Sequence, residues 1–134
     1  MNDVNSNLFL KNLAFTKIIV KRDFNLSNNI EINGSFDIDY KKISENEINV
    51  ILKYNAKSSE KNIIIELELQ GNFCVYGEVK KDVKEYLLHV NSIAIMFPYL
   101  RSQVSIATTQ PGLVPIQIPI VNAVNLARAA GFKC

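Results

Sequence analysis

The feature that most constrains the fold is a change of hydrophobic period near residue 80. From Leu8 to Tyr76 apolar residues recur mostly at every second position, whereas after Lys80 they recur every third or fourth position. A period of two is typical of a strand half-buried in a sheet, and a period near 3.6 is typical of an amphipathic helix. Strands that precede the helices, instead of alternating with them, indicate an α+β fold.

Four segments of the first half carry the strand pattern. They are Leu8–Lys21, Ile30–Tyr40, Glu47–Ala56 and Asn62–Tyr76. In the second segment Ile32, Phe36 and Ile38 share one parity, and Asp37 and Asp39 share the other. Four strands joined by short turns predict a four-stranded antiparallel sheet, a meander, with one apolar face that needs a cover.

That cover is predicted to come from the second half of the chain. Asp82–Val90 fits a short helix, and a long helix is expected to begin near Asn91-Ser92, because both residues are favourable N-caps. The apolar residues of the long helix are Ile93, Met96, Phe97, Leu100, Val104 and Ala107. Pro98 lies inside this pattern, where it either bends the helix or is tolerated near the first turns.

An apolar crossover loop follows the long helix. The segment Leu113–Val121 contains Pro115 and Pro119, which keep it extended and exclude it from a central strand. Asn122–Ala130 then fits a short C-terminal helix. Because 134 residues suit one modest core, we expect a single domain spanning residues 1–134.

Charge and hydropathy exclude several classes of protein. The net charge of +2 is too small for a nucleic-acid surface, so no nucleic-acid partner is expected. A membrane span needs about 20 apolar residues, and no run approaches that length. The polar start of the chain does not resemble a signal peptide. These observations predict a cytoplasmic protein without a membrane span.

Conventional catalytic chemistry is hard to find. The single histidine, His89, is expected to be a partly buried structural residue, and Cys74 a small buried hydrophobe. The pairs Asp37/Asp39 and Glu66/Glu68 each share a strand face and could support acid–base chemistry. A solvated strand face explains them more simply. We therefore expect no enzyme, no metal site and no cofactor, and keep a small enzyme as the weakest hypothesis.

A family resemblance rests mainly on the last third of the chain. The sequence Phe97-Pro98-Tyr99-Leu100-Arg101, the crossover Gly112-Leu113-Val114-Pro115 and the dipeptide Val121-Asn122 stand in an order and spacing that resemble the SecB family of export chaperones. Thr16-Lys17, Phe36–Asp39 and Gln70–Phe73 resemble the family more loosely. The resemblance implies the same sheet-then-helix fold.

The resemblance also implies a quaternary structure. SecB proteins are homotetramers, built as dimers of dimers, whose long helices pack between the sheets. Phe97, Leu100 and Val104 are therefore candidates for the oligomer interface. A bend at Pro98 would set the angle at which the helix meets the sheet and a partner subunit.

The function implied by the resemblance is that of an ATP-independent holdase for protein export, which keeps unfolded or preprotein clients in apolar grooves. Such a groove needs exposed apolar surface bounded by polar groups. Candidate client-binding residues are Phe36, Ile38, Tyr99, Leu113, Val114, Ile116 and Ile118. Ordinary core packing explains each of these residues, taken alone, equally well.

Family members pass clients to the motor SecA through an acidic patch. Ile64 and Glu66 match two of the family's contact positions, whereas Ile18 and Arg22 stand where the family has acids. Replacing acids in this way weakens an electrostatic dock for a basic partner. An alternative function is therefore a SecB-like module dedicated to one partner, such as an antitoxin or a phage or mobile-element protein, without SecA coupling.

Overall fold

The structure, a computed structural model, describes residues 7–26, 31–113 and 115–133. Its elements are the strands β1 (Leu8–Arg22), β2 (Ile32–Ser44), β3 (Glu47–Ser58) and β4 (Ile63–Val75) and the helices α1 (Lys81–Tyr86), α2 (Ser92–Ala107) and α3 (Ala123–Ala129), with a π-helical turn at Leu87–Asn91. This confirms the α+β prediction. Ile30 and Val114, which were used in the sequence analysis, and the last residue, Cys134, lie outside the described ranges.

The four strands form one antiparallel sheet in the order β1-β4-β3-β2. Strands β2, β3 and β4 follow one another as hairpins, and β1 pairs with β4 at the far edge. The connection from β1 to β2 therefore joins the two edges of the sheet instead of making a hairpin. Both β1 and β2 are edge strands of the isolated chain.

Two irregularities in β1 break its alternation. The register with β4 shifts between Leu10 and Asn12 and again between Phe15 and Lys17. Each shift inserts one residue, as a β-bulge does, and exchanges the two faces for the residues beyond it. Simple parity along β1 therefore does not predict which face a residue occupies.

The inner face of the sheet forms the core. On β3 and β4 alternate side chains are almost completely buried: Ile48, Val50, Leu52, Ile63, Ile65, Leu67, Leu69 and Phe73. On β2 the inner face includes Gly34, where a Cβ would lie 2.4 Å from the hydroxyl oxygen of Tyr54. Glycine is required there because the Tyr54 ring fills that space.

The helical cover is continuous from Lys81 to Ala107. Asn91 has helical φ and ψ of −63° and −33° and makes no side-chain cap, and the Ser92 hydroxyl donates to the Leu88 carbonyl. The predicted helix start at Asn91-Ser92 coincides with the first residue of α2, but the capping reason for it is wrong, because a π-helical turn joins α1 to α2 without a break. Polar residue type alone cannot distinguish a cap from a residue inside a helix.

Pro98 consequently lies in the interior of the helical run. Its missing N–H leaves the carbonyl of Ala94 without an intrahelical donor. Both residues are on the solvent side of α2, where water can satisfy that carbonyl. The alternative of a proline in the first turns does not hold.

In its described part, residues 115–121, the crossover contains neither helix nor strand, and hydrogen bonds fix it to the rest of the chain. The Ile116 N–H donates to Thr108 Oγ1 at 2.8 Å, and Arg101 Nε donates to the Ile118 carbonyl at 3.0 Å. Arg22 Nη1 donates to the Pro111 carbonyl at 3.2 Å. The chain then enters α3, whose first turn is capped by Asn122 Oδ1.

Candidate functional site

Four of the predicted client-binding residues are half-buried at the border of the core. Phe36 and Ile38 lie on the inner face of β2, and Leu113 and Ile116 lie on the crossover. The Phe36 ring is 5.0 Å from the Tyr54 ring and 5.5 Å from the Phe97 ring. Each of the four packs against the core with one side and leaves apolar surface free, which is the arrangement that binding an apolar chain requires.

The other predicted lining residues are placed differently. Ile118 is only 3% exposed and belongs to the core, so it offers no lining surface. Tyr99 is 51% exposed, but it points away from the sheet, since it follows the buried Phe97 by two helical positions. Tyr99 therefore does not lie beside Phe36 within one chain.

The three residues predicted for the oligomer interface face the sheet of their own chain. Phe97 is 6% exposed, and Leu100 and Val104 are 0% exposed. The family resemblance identified their apolar character, but a helix that covers a sheet buries such residues within the subunit. In this chain they are core residues, not surface residues.

A second apolar face of α2 was missed by the sequence analysis. Ile95, Tyr99 and Ile106 are 38%, 51% and 66% exposed, and with Ser102 they follow the spacing i, i+4, i+7 and i+11. This spacing places them on one side of the helix, and we call them the outer stripe of α2. The signal was present in the helical period, but the inner apolar face of α2 concealed it.

The outer face of the sheet is polar and internally paired. Lys17 Nζ lies 2.5 Å from Glu66 Oε1, and the hydrogen bond from Lys17 to Glu66, together with their charge attraction, raises the pKa of the lysine. The Thr16 hydroxyl donates to Glu68 Oε2 at 2.5 Å. That hydrogen bond lowers the pKa of Glu68, and a second one from Gln70 adds to the effect. Glu66 and Glu68 on β4 are thus already engaged by neighbouring side chains.

The four positions considered for SecA do not share one face. Ile64 and Glu66 point outward, whereas Ile18 stands opposite the buried Leu67 and Arg22 opposite the buried Ile63. The shift between Phe15 and Lys17 turns Ile18 and Arg22 toward the helical side. The bulge could not be foreseen from alternation.

His89, which was considered for catalysis, has structural partners. His89 is half-buried, with Nδ1 2.9 Å from the Glu85 carbonyl and its ring between those of Tyr40 and Phe132. Burial raises the pKa of the Cys74 thiol. Within residues 7–26, 31–113 and 115–133, no three metal-binding side chains cluster.

Over the same described part of the chain, no helix has the length and apolarity that a membrane crossing requires.

An antiparallel sheet covered by a long proline-containing helix, with apolar residues left open at its border, defines a SecB-like chaperone fold. The family described as preprotein translocase subunit SecB matches residues 4–130. The chain belongs to the SecB family, which is a family of chaperones.

Individual relatives are distant in sequence. A protein-export protein SecB of a Ruegeria species is 27% identical over 126 residues, covering 90% of this chain and 76% of the relative. An uncharacterised protein of Methanocaldococcus jannaschii is 26% identical, covering 90% of this chain and 79% of the relative. A SecB-like chaperone of Mycobacterium tuberculosis, solved with a ChAD peptide from the HigA1 antitoxin, superposes with a TM-score of 0.67 at 10% identity, covering 86% of this chain and 90% of that one.

Proposed function

We propose that the protein is a cytosolic, ATP-independent holdase that binds unfolded or preprotein clients for protein export. The observation that carries the proposal is that Phe36, Ile38, Leu113 and Ile116, at the border of the core, are each only partly buried and keep apolar surface exposed. These side chains are already partly desolvated and are held by the core. A client chain therefore gains contact area while they lose little further conformational entropy. No chemical step is part of the proposal.

The first test is binding of reduced, carboxymethylated α-lactalbumin, a permanently unfolded chain, measured by isothermal titration. The account predicts saturable binding and suppressed aggregation of a heated client. Ile38→Ser is expected to weaken binding about tenfold, because burying an isoleucine is worth about 1.5–3 kcal/mol. Absence of binding to several unrelated unfolded chains would contradict the proposal.

Ile43→Ser is the matched control. Ile43 lies on the same strand and is 55% exposed, but it lies near the end of β2, beyond the inner-face residues that pack against the core. The same chemical change at this position should leave client affinity within about twofold. Equal weakening by both variants would indicate nonspecific apolar adhesion instead of a defined surface.

Coupling to SecA is the weaker part of the proposal. The β1 strand contains Lys11, Lys17, Lys21 and Arg22 and no acid, while Glu66 is held by Lys17 at 2.5 Å. A basic partner would therefore meet little free negative charge along β1 and its neighbour β4. If Ile64 and Glu66 still form a contact, Glu66→Lys should reduce SecA binding measured at low ionic strength.

The second candidate function is a module dedicated to one partner, such as an antitoxin or a phage or mobile-element protein. The basic β1 strand and the loss of family acids at Ile18 and Arg22 favour it. The M. tuberculosis chaperone with the same fold was solved with an antitoxin peptide. Tight binding of one co-purified partner, with weak binding of generic unfolded chains, would distinguish this function from the first.

The assembly is proposed to be a homotetramer, a dimer of dimers, that uses the outer stripe of α2. Ile95, Tyr99 and Ile106 expose enough apolar surface on one helical side to form the centre of such a contact. Light scattering at micromolar concentration measures the mass directly. A monomer at all concentrations would contradict the tetramer without affecting the binding proposal.

A further inference from the structure

The outer face of the sheet is basic at one of its ends. Lys21 on β1 and Lys57 on β3 are the cross-strand neighbours of Ile64 on β4. Cross-strand neighbours point to the same side of a sheet, so an apolar residue lies between two lysines in one row. Lys61, in the turn that joins β3 to β4, adds a third positive charge. We call Lys21, Lys57 and Lys61 the basic end of the outer face.

Hydrogen bonds hold the turn that carries Lys61. The Lys61 N–H donates to the Ser58 carbonyl at 2.9 Å. Ser58 is 3% exposed, and its hydroxyl accepts from the Ile63 N–H at 3.0 Å and donates to Asn62 Oδ1. Lys61 has a φ of +59°, a conformation in which glycine or asparagine is more usual. The fold therefore keeps a lysine at a backbone position that disfavours it, as happens more often at functional sites than elsewhere.

An open cavity of about 580 Å³ lies at this end of the sheet. Its polar lining consists of Asn33, Ser35, Asn55, Lys57, Lys61 and Glu66. Among these described lining residues Glu66 is the one acid, and Lys17 already holds it, with 2.5 Å between Nζ and Oε1. Glu60 precedes Lys61 in the turn but does not line the cavity. The cavity thus offers ammonium, amide and hydroxyl donors, the groups that bind carboxylates.

The positive charges of the basic end are not neutralised by ion pairs with described residues. Within residues 7–26, 31–113 and 115–133, the salt bridges involve Lys11, Lys17, Lys53 and His89, and none of the three lysines of the basic end. Like charges held close together repel one another. A segment rich in carboxylates would replace that repulsion by attraction, whereas a basic segment would increase it.

We propose that the basic end of the outer face binds an acidic segment of a partner protein, with Ile64 as an apolar contact between the lysines. The inference rests on the second proposed function, the module dedicated to one partner, and adds the charge of the segment by which that partner binds. Two strand spacings of about 4.8 Å put Lys21 and Lys57 about 10 Å apart, a distance that three residues of extended chain span. A short run of acids therefore meets all three lysines at once. An unfolded client with dispersed acids meets one lysine at a time and stays at the apolar border.

The first test is fluorescence anisotropy with a labelled peptide that contains a run of six glutamates. A peptide with six glutamines in the same positions is the matched probe. The glutamate peptide should bind saturably at about 20 mM salt and at least about fivefold more weakly at about 300 mM, because salt screens exposed charges. The glutamine peptide should not bind. Equal binding of the two peptides would overturn the inference.

A double variant tests which lysines hold the peptide. Lys57→Gln combined with Lys61→Gln should lower the affinity about fivefold, because two exposed ion pairs of ordinary strength are lost. Lys41→Gln combined with Lys42→Gln is the matched control, since it removes the same charge from exposed residues near the other end of the sheet. The control should keep the affinity within about twofold. Equal losses in both double variants would show a dependence on net charge alone and overturn the inference.

Lysine acetylation adds a measurement on the unmodified protein. Bound glutamate peptide should slow the reaction of Lys57 and Lys61 with an acetylating reagent, followed by mass spectrometry, and leave Lys41 and Lys42 as reactive as before. If saturating peptide protects neither Lys57 nor Lys61, the peptide does not occupy the basic end. That result overturns the inference even where a variant folds poorly.

Further outcomes separate this surface from the two proposed functions. The Lys57→Gln, Lys61→Gln variant should bind unfolded α-lactalbumin as the wild type does, and a parallel loss would overturn a separate surface. A co-purified partner that binds this variant and the wild type equally overturns the surface and leaves the dedicated function intact. Predicted peptide binding without any co-purified partner supports the surface and contradicts the dedicated function. A single-stranded oligonucleotide that binds the basic end more tightly than the glutamate peptide would overturn the assignment to an acidic protein segment.

Discussion

The two sides of α2 carry similar residues in opposite environments. On the inner side Leu100 and Val104 are 0% exposed, whereas on the outer side Tyr99 and Ile106 are 51% and 66% exposed. The inner side contacts β3 and β4. Apolar residues at helical spacing therefore indicate that one side of a helix is buried. They do not show whether the covering surface is the chain's own sheet or another surface. In this chain one side stabilises the fold and the other remains available.

The sheet shows a second version of the same contrast. Its inner face is apolar and packed closely enough to require glycine at position 34. Its outer face holds a polar network around Glu68, which Thr16, Gln70 and Lys53 approach. The effects expected from substitutions therefore decrease from the core to the polar face.

The largest effect is expected from Leu100→Ala on the inner side of α2. Removing a fully buried leucine should lower the free energy of unfolding by about 3 kcal/mol, because transfer and cavity terms add. Urea denaturation followed by circular dichroism measures it. A loss below about 1 kcal/mol would mean that the inner side of α2 does not form the core described.

Gly34→Ala tests the close packing of the inner sheet face. The new Cβ would overlap the ring of Tyr54, which is 6% exposed and packed against Phe36. We expect a loss of about 2 kcal/mol from overpacking. Ser35→Ala, on the exposed side of the same strand, should change stability by less than about 0.5 kcal/mol. If both variants were neutral, Tyr54 would not occupy the space beside Gly34.

Ile106→Asp tests the outer side of α2. A charge there should cost about 1.5 kcal/mol or more of association free energy at each interface, since one isoleucine is no longer buried. Light scattering should show a smaller assembly, while circular dichroism shows the same secondary structure. Val83→Asp, a matched change at another exposed apolar residue, should leave the mass unchanged. If neither variant changes the mass, the outer stripe of α2 is not an interface.

The smallest effect is expected at Glu68 on the polar face. Its pKa is lowered in the fold by the Thr16 hydrogen bond, so the ionised form adds stability above the ordinary carboxylate pKa. That stability is lost as pH falls through the lowered value. Glu68→Gln should therefore cost about 1 kcal/mol at pH 7, and the difference from wild type should shrink as pH falls through the lowered pKa of Glu68. A constant difference across this range would show that charge is not involved.

Alternation and helical period were sufficient to predict four strands and the helix that covers them. They succeeded because burying one side of each element dominates the energetics of a small domain. The capping argument failed at Asn91, which lies inside a continuous helical run, and alternation failed at Ile18, which a one-residue bulge turns to the other face. Both features depend on tertiary packing, which the local spacing of apolar residues does not predict.

The candidate site was predicted only in part. The parity of Phe36 and Ile38 correctly placed both residues on the inner face of β2, and their role in client binding stays a prediction. Phe97, Leu100 and Ile118 were misplaced because apolar type does not distinguish a core residue from a surface one. The stack of Phe132 on His89 joins residues far apart in sequence. A glycine after a predicted short helix was its only local signal.

The most direct test of the central claim is photocrosslinking from the two faces of the sheet. A photoreactive phenylalanine analogue is placed at Ile38 on the inner face of β2 or at Ile64 on the outer face of β4, and the protein is irradiated with unfolded α-lactalbumin. The account predicts strong crosslinks from position 38 and weak ones from position 64. Crosslinks from position 64 that equal or exceed those from position 38 would contradict the claim that the apolar border binds clients.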